Sequence, residues 1–244
     1  MLEVPNFQYE RVSSTNDVAK ELLFKYDCLV VSADYQYNGR GRKGRSWEGE
    51  SHKNIYLSFG VNETKQEFIK NKILYQIIGC LAVESTLSEF ATGAKIKLKY
   101  PNDVYIANEK NEYKKISGVL AEHSYSGNIC TESVLGIGIN INQIVFDKSV
   151  AEKATSLKLL GYNCDTDNIL DSLKSNILKF MQSNEEETFG LWKKKIDLVG
   201  KNIIVVSNGV EYKVDTISPF GTLLASNHNG HITINNGDSI IYEL

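Results

Sequence analysis

A run of arginine and glycine, Gly39–Trp47, restricts the fold of this chain more than any other segment. It holds three of the four arginines; the fourth is Arg11, and elsewhere the chain uses lysine for positive charge. Interleaved glycines allow positive φ and close approach to a ligand, so the run predicts a loop. Arginine grips carboxylate or phosphate through two parallel hydrogen bonds, which lysine cannot do. We therefore expect an anion-binding loop at a functional site.

Three other interpretations of this run are weaker. Its Gly-x-Gly-x-x-Gly spacing matches the dinucleotide-binding fingerprint, but that fingerprint leads into a helix, and residues 45–54 have no helical apolar period. A P-loop is excluded because the chain has no G-x-x-x-x-G-K-[ST] motif. A solvated basic turn would not need arginine, since lysine serves equally well there.

Composition is that of an ordinary globular protein. The 244 residues are 42% hydrophobic and 23% charged, with a net charge of −3; one or two domains fit this length, and a chain-wide basic field for nucleic acid is absent. Cys28, Cys80, Cys130 and Cys164 lie far apart, which favours reduced thiols over a metal site or disulfides. With no secretory pattern at its start and no apolar run long enough to span a bilayer, we expect a cytoplasmic protein.

Hydrophobic periodicity predicts a chain of mixed helices and strands. Helices are predicted over residues 13–24, 68–90, 149–160, 167–182 and 186–196, and strands over residues 28–34, 54–61, 95–99, 104–107, 116–123 and 129–141. The helix over residues 68–90 is expected to be amphipathic. After Gly200, short strand-like runs alternate with Asn-Gly and Pro-Phe-Gly turns, which predicts a small β-barrel. We expect two domains, over residues 1–197 and 198–244.

Three further segments are candidates for a site. Lys99–Val104 places a carboxylate and a lysine between two strands, Lys115–Glu122 has small residues in mid-strand, and Gly136–Asn142 alternates glycine with isoleucine, which leaves one face bare for a flat ligand. Their structural alternatives are a hairpin turn, an ordinary strand entered by a surface lysine, and tight helix–sheet packing. His228 and His231 form an H-x-x-H without a third ligand nearby, which favours a surface hairpin over a metal site.

Six motifs follow one another along the chain. They are Ser14-Thr15-Asn16, Gln36, Gly39–Trp47, Lys99-x-Pro101-Asn102-Asp103, Lys115-x-x-Gly118-x-Leu120-x-Glu122 and Gly136-x-Gly138-x-Asn140. Together they closely resemble the biotin–protein ligases, or biotin–[acetyl-CoA-carboxylase] ligases, over about residues 10–145. The resemblance implies an α+β fold in which helices flank a mixed or antiparallel sheet, as in class II aminoacyl-tRNA synthetases and biotin ligases. A small C-terminal SH3-like β-barrel completes it.

The resemblance also implies two chemical steps at one site. The biotin carboxylate attacks the α-phosphorus of ATP, which gives biotinyl-5′-AMP and pyrophosphate. A lysine of a biotin carboxyl carrier protein, from acetyl-CoA carboxylase or a related carboxylase, then attacks the mixed anhydride and releases AMP. The implied cofactors are ATP, biotin and Mg²⁺, with no metal site formed by the protein's own side chains. Neither nucleic acid nor a membrane is an expected partner, and a homodimer through a sheet edge stays open.

Residue roles are carried over from the same resemblance. The residues expected to bind biotin or biotinyl-AMP are Ser14, Thr15, Asn16, Gln36, Arg40, Gly41, Arg42, Lys115, Gly118, Leu120 and Gly138. Those expected to bind the nucleotide are Arg45, Trp47, Asn102 and Asn140, with Trp47 stacked near the adenine. Arg42, Lys115 and Asp103 are expected to be catalytic, and Asp103 would orient the incoming lysine.

Two positions depart from the family pattern. The family usually has tryptophan where Tyr100 stands and a second glycine where Ser117 stands, and we expect tuning of activity from both. The Ser-Thr-Asn motif begins about a dozen residues into the chain, so the resemblance is to ligases without an N-terminal DNA-binding domain. Two rival functions remain: a lipoate–protein ligase, whose site would favour a long acyl chain, and a nucleic-acid-binding module that uses the Arg/Gly run and the tail.

Overall fold

A computed structural model describes residues 4–65 and 69–244. Its helices are α1 (Thr15–Leu22), α2 (Ile73–Phe90), α3 (Thr166–Met181) and α4 (Glu185–Ile196). The first seven strands are β1 (Asn6–Val12), β2 (Cys28–Gln36), β3 (Asn54–Asn62), β4 (Ile96–Lys99), β5 (Asp103–Ala107), β6 (Tyr113–Ser126) and β7 (Ile129–Asn140). The C-terminal strands are β8 (Asn202–Val205), β9 (Glu211–Ile217), β10 (Leu223–Asn227), β11 (Gly230–Ile234) and β12 (Ile240–Ile241).

The strands form one large sheet and one small sheet. The large sheet has seven strands in the order β1-β2-β3-β7-β6-β5-β4, and the small sheet has five in the order β11-β10-β9-β8-β12. In the large sheet β1 runs parallel to β2, while the other neighbours are antiparallel. Helix α1 covers one face and α2 the other. The expected α+β class is confirmed, and the curled antiparallel C-terminal sheet is consistent with an SH3-like barrel.

Helix α2 is the central core helix, and the predicted single apolar face is wrong. Its buried side chains point in several directions, among them Tyr75, Ile77, Cys80 and Val83, because the large sheet lies on one side and α3 and α4 lie on the other. Phe68, where the prediction started, lies outside the described residues. The helix is long and apolar enough to cross a bilayer, but 67% of it is buried inside the fold, as expected for a core helix.

The helix predicted over residues 149–160 is also wrong. Only Lys158–Leu160 form a single 3-10 turn. The segment before it instead runs alongside β6: the N–H of Lys115 donates to the carbonyl of Lys153 at 2.8 Å, and the N–H of Thr155 donates to the carbonyl of Lys115 at 2.9 Å. These bonds pair the backbone around Ala154 with β6 in a parallel bridge, so no helix continues through residues 153–155. The segment lies beside the site as a result.

The small sheet docks through Tyr100, in the turn between β4 and β5. Its hydroxyl donates to the carbonyl of Gly221 at 2.8 Å and lies 3.3 Å from that of Ile234. Its backbone N–H donates to the Tyr242 hydroxyl at 2.8 Å. One hydrophobic core runs from the large sheet into the small one. The domain boundary expected between residues 197 and 198 stays a prediction.

Tyr100→Phe is expected to lower the free energy of unfolding by about 1–2 kcal/mol, because buried carbonyls lose their donor. Burial raises the pKa of Tyr100 to about 12, so its hydroxyl keeps its proton at neutral pH. Urea denaturation measures the change. Tyr125→Phe is the matched control, since Tyr125 is 57% exposed and its change should stay within about 0.5 kcal/mol. Equal stability of the Tyr100 variant and the unmutated protein would show that the Tyr100 hydroxyl does not stabilise the contact between the two sheets.

Candidate active site

Every residue to which the sequence assigned a role lines one cavity of about 1110 Å³. The cavity lies where six segments meet: the start of α1, the end of β2, the arginine loop Gly39–Trp47, the β4–β5 turn, the first half of β6 and the end of β7. These segments are far apart in the chain, and the large sheet brings them together. The structure thus assembles the six motifs into one place, while the role of each residue stays a prediction.

The arginine loop is short and closed at its base. Its two arms meet in an isolated bridge between Arg40 and Ser46. At the tip, Lys43 and Gly44 have φ values of 57° and 71°, a conformation that glycine adopts without strain. The tight tip turns the loop back on itself, so its arginine side chains leave in different directions.

Arg42 reaches across the cavity to the β4–β5 turn. Its Nη1 donates to the Oδ1 atom of Asn102 at 3.0 Å. Asn102 is itself held by β6, since its Nδ2 donates to the carbonyl of Val119 at 2.8 Å and its carbonyl accepts from the N–H of Val119 at 3.0 Å. The Arg42 guanidinium is therefore placed by an uncharged amide, which leaves its charge available to an anion.

Lys115 and Asp103 form an ion pair inside the cavity, with 2.7 Å between Nζ and Oδ1. Both side chains are largely covered, with exposed fractions of 29% and 23%. The Lys115 ammonium also lies 5.4 Å from the centre of the Trp47 ring, a distance at which a cation is attracted to an aromatic face. An anionic ligand in the cavity would meet this ammonium together with its carboxylate partner.

Arg45 pairs with a residue of the small sheet, Asp238. Asp238 lies in the 3-10 turn Gly237–Ser239, and its Oδ2 is also 3.7 Å from Lys43 Nζ. The hydrogen bond from Arg45 lowers the pKa of the Asp238 carboxyl. The C-terminal region thus supplies a carboxylate, together with Gly237 and Ile240, to a cavity whose other lining residues come from the first two thirds of the chain.

Glycines form a flat ledge in the cavity, and the chain covers it with its own side chains. Gly118 and Gly138 are cross-strand partners on β6 and β7, and the Trp47 indole lies on both. A Cβ atom on Gly118 would come within 2.8 Å of that ring, and one on Gly138 would clash with it as well. Next to it, the Asn16 amide lies on Gly136. The bare face predicted from the glycine–isoleucine alternation exists, and only glycine permits these close contacts.

Buried polar side chains form one end of the cavity. Both N–H and Oγ1 of Thr15 donate to the Oε1 atom of Gln36, at 2.7 and 3.0 Å. Ser58 Oγ donates to Asn16 Oδ1 at 2.6 Å and lies 2.8 Å from Thr15 Oγ1. Asn16 Nδ2 donates in turn to Glu122 Oε2 at 2.8 Å. These bonds fix the amide and hydroxyl orientations, so the polar pocket is preorganised for a ligand with several donors and acceptors.

Sequence reasoning missed four groups in or beside the site. Asp17 follows directly on the Ser-Thr-Asn motif and pairs with Arg40, so its position was a usable signal. Ser58 sits in mid-strand, and Asp238 in a turn of the tail, without any local sign of a site. The segment 146–154 lines the cavity and is anchored where Asn140 Nδ2 donates to the carbonyl of Thr155 at 3.0 Å.

Comparison with known proteins gives one consistent result. A family model described as "Biotin/lipoate A/B protein ligase family" matches residues 9–140, more than half of the chain. The "Bifunctional ligase/repressor BirA" of Escherichia coli is 26% identical over 193 residues, which cover 73% of this chain and 58% of that protein. The "Biotin--[acetyl-CoA-carboxylase] ligase" of Mycobacterium tuberculosis is 29% identical over 191 residues, which cover 73% of this chain and 67% of that protein. The chain spans about three fifths of the length of the first of these relatives.

Solved structures agree with this result. The biotin protein ligase from Aquifex aeolicus, solved in complex with biotin and ATP, is 28% identical to this chain. The two structures superpose with a TM-score of 0.74, and the match covers 97% of each chain. The similarity thus includes both the large sheet and the C-terminal sheet.

Proposed function

This chain belongs to the biotin/lipoate A/B protein ligase family, and from that premise we propose that it is an ATP-dependent biotin–protein ligase. It activates biotin as biotinyl-5′-AMP and transfers the biotinyl group to a lysine of a biotin carboxyl carrier protein, from acetyl-CoA carboxylase or a related carboxylase. One observation carries the proposal: the preorganised polar pocket, the glycine ledge and the cations Arg42 and Lys115 all line the same cavity.

In the first step two negatively charged groups must approach each other. A carboxylate oxygen of biotin forms a bond to the α-phosphorus, and the bond from that phosphorus to the β-phosphate oxygen breaks, with pyrophosphate taking the electron pair. Fixed positive charge lowers this barrier, because it stabilises the charge that builds up at phosphorus. In this proposal Arg42 contacts the α-phosphate, and the Lys115 ammonium pairs with the biotin carboxylate inside the cavity.

In the second step the carrier lysine attacks the carbonyl carbon of biotinyl-AMP. The new C–N bond forms, the C–O bond to the phosphate breaks, and AMP leaves. Asp103 orients the incoming amine in this proposal, since its carboxylate lines the cavity and is 23% exposed. Trp47 covers the ledge and excludes water from the mixed anhydride, which would otherwise hydrolyse.

The other residues predicted from the sequence take binding roles. The biotin ring lies in the pocket of Ser14, Thr15, Asn16 and Gln36, and the backbone at Gly41, Gly118, Leu120 and Gly138 lies close to the ligand. Arg40 belongs to this group through its place in the arginine loop. The nucleotide meets Arg45, Trp47, Asn102 and Asn140. The division into residues 1–197 and 198–244 is also part of the proposal.

Mg²⁺ enters the proposal only with the nucleotide. Magnesium usually binds through one or two carboxylates together with substrate phosphates. In residues 4–65 and 69–244, no group of three or more His, Cys, Asp or Glu side chains could hold a metal. Phosphate oxygens would supply most of its ligands, and Asp103 or Asp238, which line the cavity, would help to hold it. The cytoplasm, where carboxylases and ATP are available, is the proposed location.

The two rival functions fit the cavity less well. The family includes lipoate ligases, but a long flexible acyl chain would not need the rigid amide and hydroxyl network around Asn16 and Ser58. A nucleic-acid-binding module would leave its arginines unpaired for phosphates, whereas Arg40 and Arg45 pair with carboxylates of the chain. The net charge of −3 also opposes binding to a polyanion.

Exchange of labelled pyrophosphate into ATP tests the proposal directly. We expect exchange that depends on biotin, and transfer of labelled biotin to a carrier protein when one is added. Exchange that requires lipoate would identify the rival enzyme. If the protein catalyses no exchange with either acid and binds DNA or RNA in a salt-sensitive way, the ligase proposal is wrong.

A further inference from the structure

The Arg40 guanidinium forms an ion pair with a carboxylate of the chain itself, that of Asp17. Its Nη1 donates to Asp17 Oδ2 at 2.7 Å, and its Nη2 donates to Asp17 Oδ1 at 2.5 Å. This is the bidentate arrangement that matches a guanidinium to a carboxylate. The hydrogen bond from Arg40 lowers the pKa of the Asp17 carboxyl, so the pair stays ionised at neutral pH. Two donors that could have met a phosphate are thus already occupied.

The position of this pair ties two parts of the site together. Arg40 stands at the base of the arginine loop, in the bridge with Ser46. Asp17 lies in the first turn of α1, directly after Asn16 of the polar pocket. The pair therefore holds the base of the loop against the helix that carries the pocket.

A second carboxylate strengthens the same junction. Glu122 Oε2 accepts from Asn16 Nδ2 at 2.8 Å, and lies 3.2 Å from Lys20 Nζ and 3.6 Å from Arg40 Nη2. Burial opposes ionisation of Glu122, but these partners together lower the pKa of its carboxyl. The loop, α1 and β6 consequently meet at one cluster of two carboxylates and two cations.

We infer that Asp17 is a positioning residue: with Arg40 it forms a clasp that holds the arginine loop closed over the bound adenylate. This inference rests on the proposed function and goes beyond it. Arg40 then acts on the position of the loop, while Arg42 acts on the phosphate. Since Trp47 is the last residue of the loop and covers the ledge, an open clasp would expose the ledge and let the intermediate escape.

A double-mutant cycle on Asp17→Asn and Arg40→Gln tests whether the two residues act as a unit. We expect each single change to speed release of biotinyl-AMP about tenfold, and the double change to add no more than about twofold. The KM for ATP should stay within about twofold in all three variants, since a direct phosphate contact would raise it. Asp171→Asn is the matched control; it removes a surface ion pair with Lys174 on α3, and release should not change.

Two results would overturn the clasp. Independent contributions would give about a hundredfold faster release in the double variant. A rise in the KM for ATP in the Arg40 variant alone would show that Arg40 contacts the phosphates directly. Limited proteolysis gives a test without catalysis. Trypsin cleaves after accessible lysines and arginines, and its cleavage after Arg42 and Arg45 reports on the loop. This cleavage should be about fivefold faster in Asp17→Asn than in Asp171→Asn, because local opening controls the rate. Equal rates of cleavage in the loop would contradict the clasp, whether or not the protein is a ligase. Absence of biotin-dependent exchange in the unmutated protein would instead contradict the proposed function.

Discussion

Replacing Arg42 with alanine is expected to slow formation of biotinyl-5′-AMP by about two to three orders of magnitude, the usual cost of removing a positioned donor from a developing negative charge. The structure gives the reason. Arg42 is held over the cavity by the neutral Asn102 amide at 3.0 Å, so its charge is free to act on the phosphate. Single-turnover formation of the adenylate, with biotin and ATP both saturating, measures the loss.

Two variants sharpen this prediction. Arg42→Lys should recover less than about a tenth of the lost rate, because an ammonium cannot replace a guanidinium fork. Lys43→Ala is the matched control: it removes the neighbouring cation, which is 53% exposed and only loosely paired with Asp238, and its rate should fall no more than about threefold. Full activity of the lysine variant would rule out a bidentate role for Arg42.

Lys115→Ala is expected to slow adenylate formation by about a hundredfold or more. The change removes a cation from the cavity and also leaves the Asp103 carboxylate, now 2.7 Å from Lys115 Nζ, without its partner. An unpaired carboxylate in a largely covered site repels both the biotin carboxylate and the phosphates, and this penalty exceeds the loss of the pair itself. Pyrophosphate exchange at saturating biotin measures the effect.

The double variant Lys115→Ala with Asp103→Asn separates the two causes. If repulsion by the orphaned carboxylate contributes, neutralising it should restore adenylate formation about tenfold over Lys115→Ala alone. Lys114→Ala is the control, since Lys114 neighbours Lys115 on β6 but lies outside the lining of the cavity. A double variant as slow as Lys115→Ala would mean that Asp103 does not oppose substrate binding.

Local sequence pattern predicted most of the strands and the helices α3 and α4. The alternation in β3 and β4, for example, places their strands within one residue of the observed ends. The local pattern failed where hydrogen bonds to a segment far away in the sequence determine the backbone conformation. Residues 149–160 carry a helical pattern, yet the backbone of Lys153 and Thr155 hydrogen-bonds to that of Lys115. The edge strand β1 was not predicted at all, because its burial depends on α1 and β2.

The sequence was enough to predict which segments meet at the site. It was not enough to predict which side chains pair there. Local motifs identify segments in which glycines and charged residues lie close together in the sequence. The structure brings these segments into the lining of one cavity. The pairing of Arg40 with Asp17 and of Arg45 with Asp238 depends on contacts across 23 residues and across most of the chain. Similarly, nothing in the sequence indicates that Trp47 lies on Gly118 and Gly138. Such contacts follow only from the assembled sheet.

The carboxylates beside the cavity act as built-in counterions. Asp17, Asp103 and Asp238 each neutralise one cation of the lining. Of these cations, Arg45 and Lys115 would meet an anion beside a carboxylate that already balances their charge, and stray phosphate or chloride gains little there. A nucleotide gains more, because its base and sugar add contacts that a simple ion lacks. The protein thereby keeps a strongly basic loop without becoming a general trap for anions.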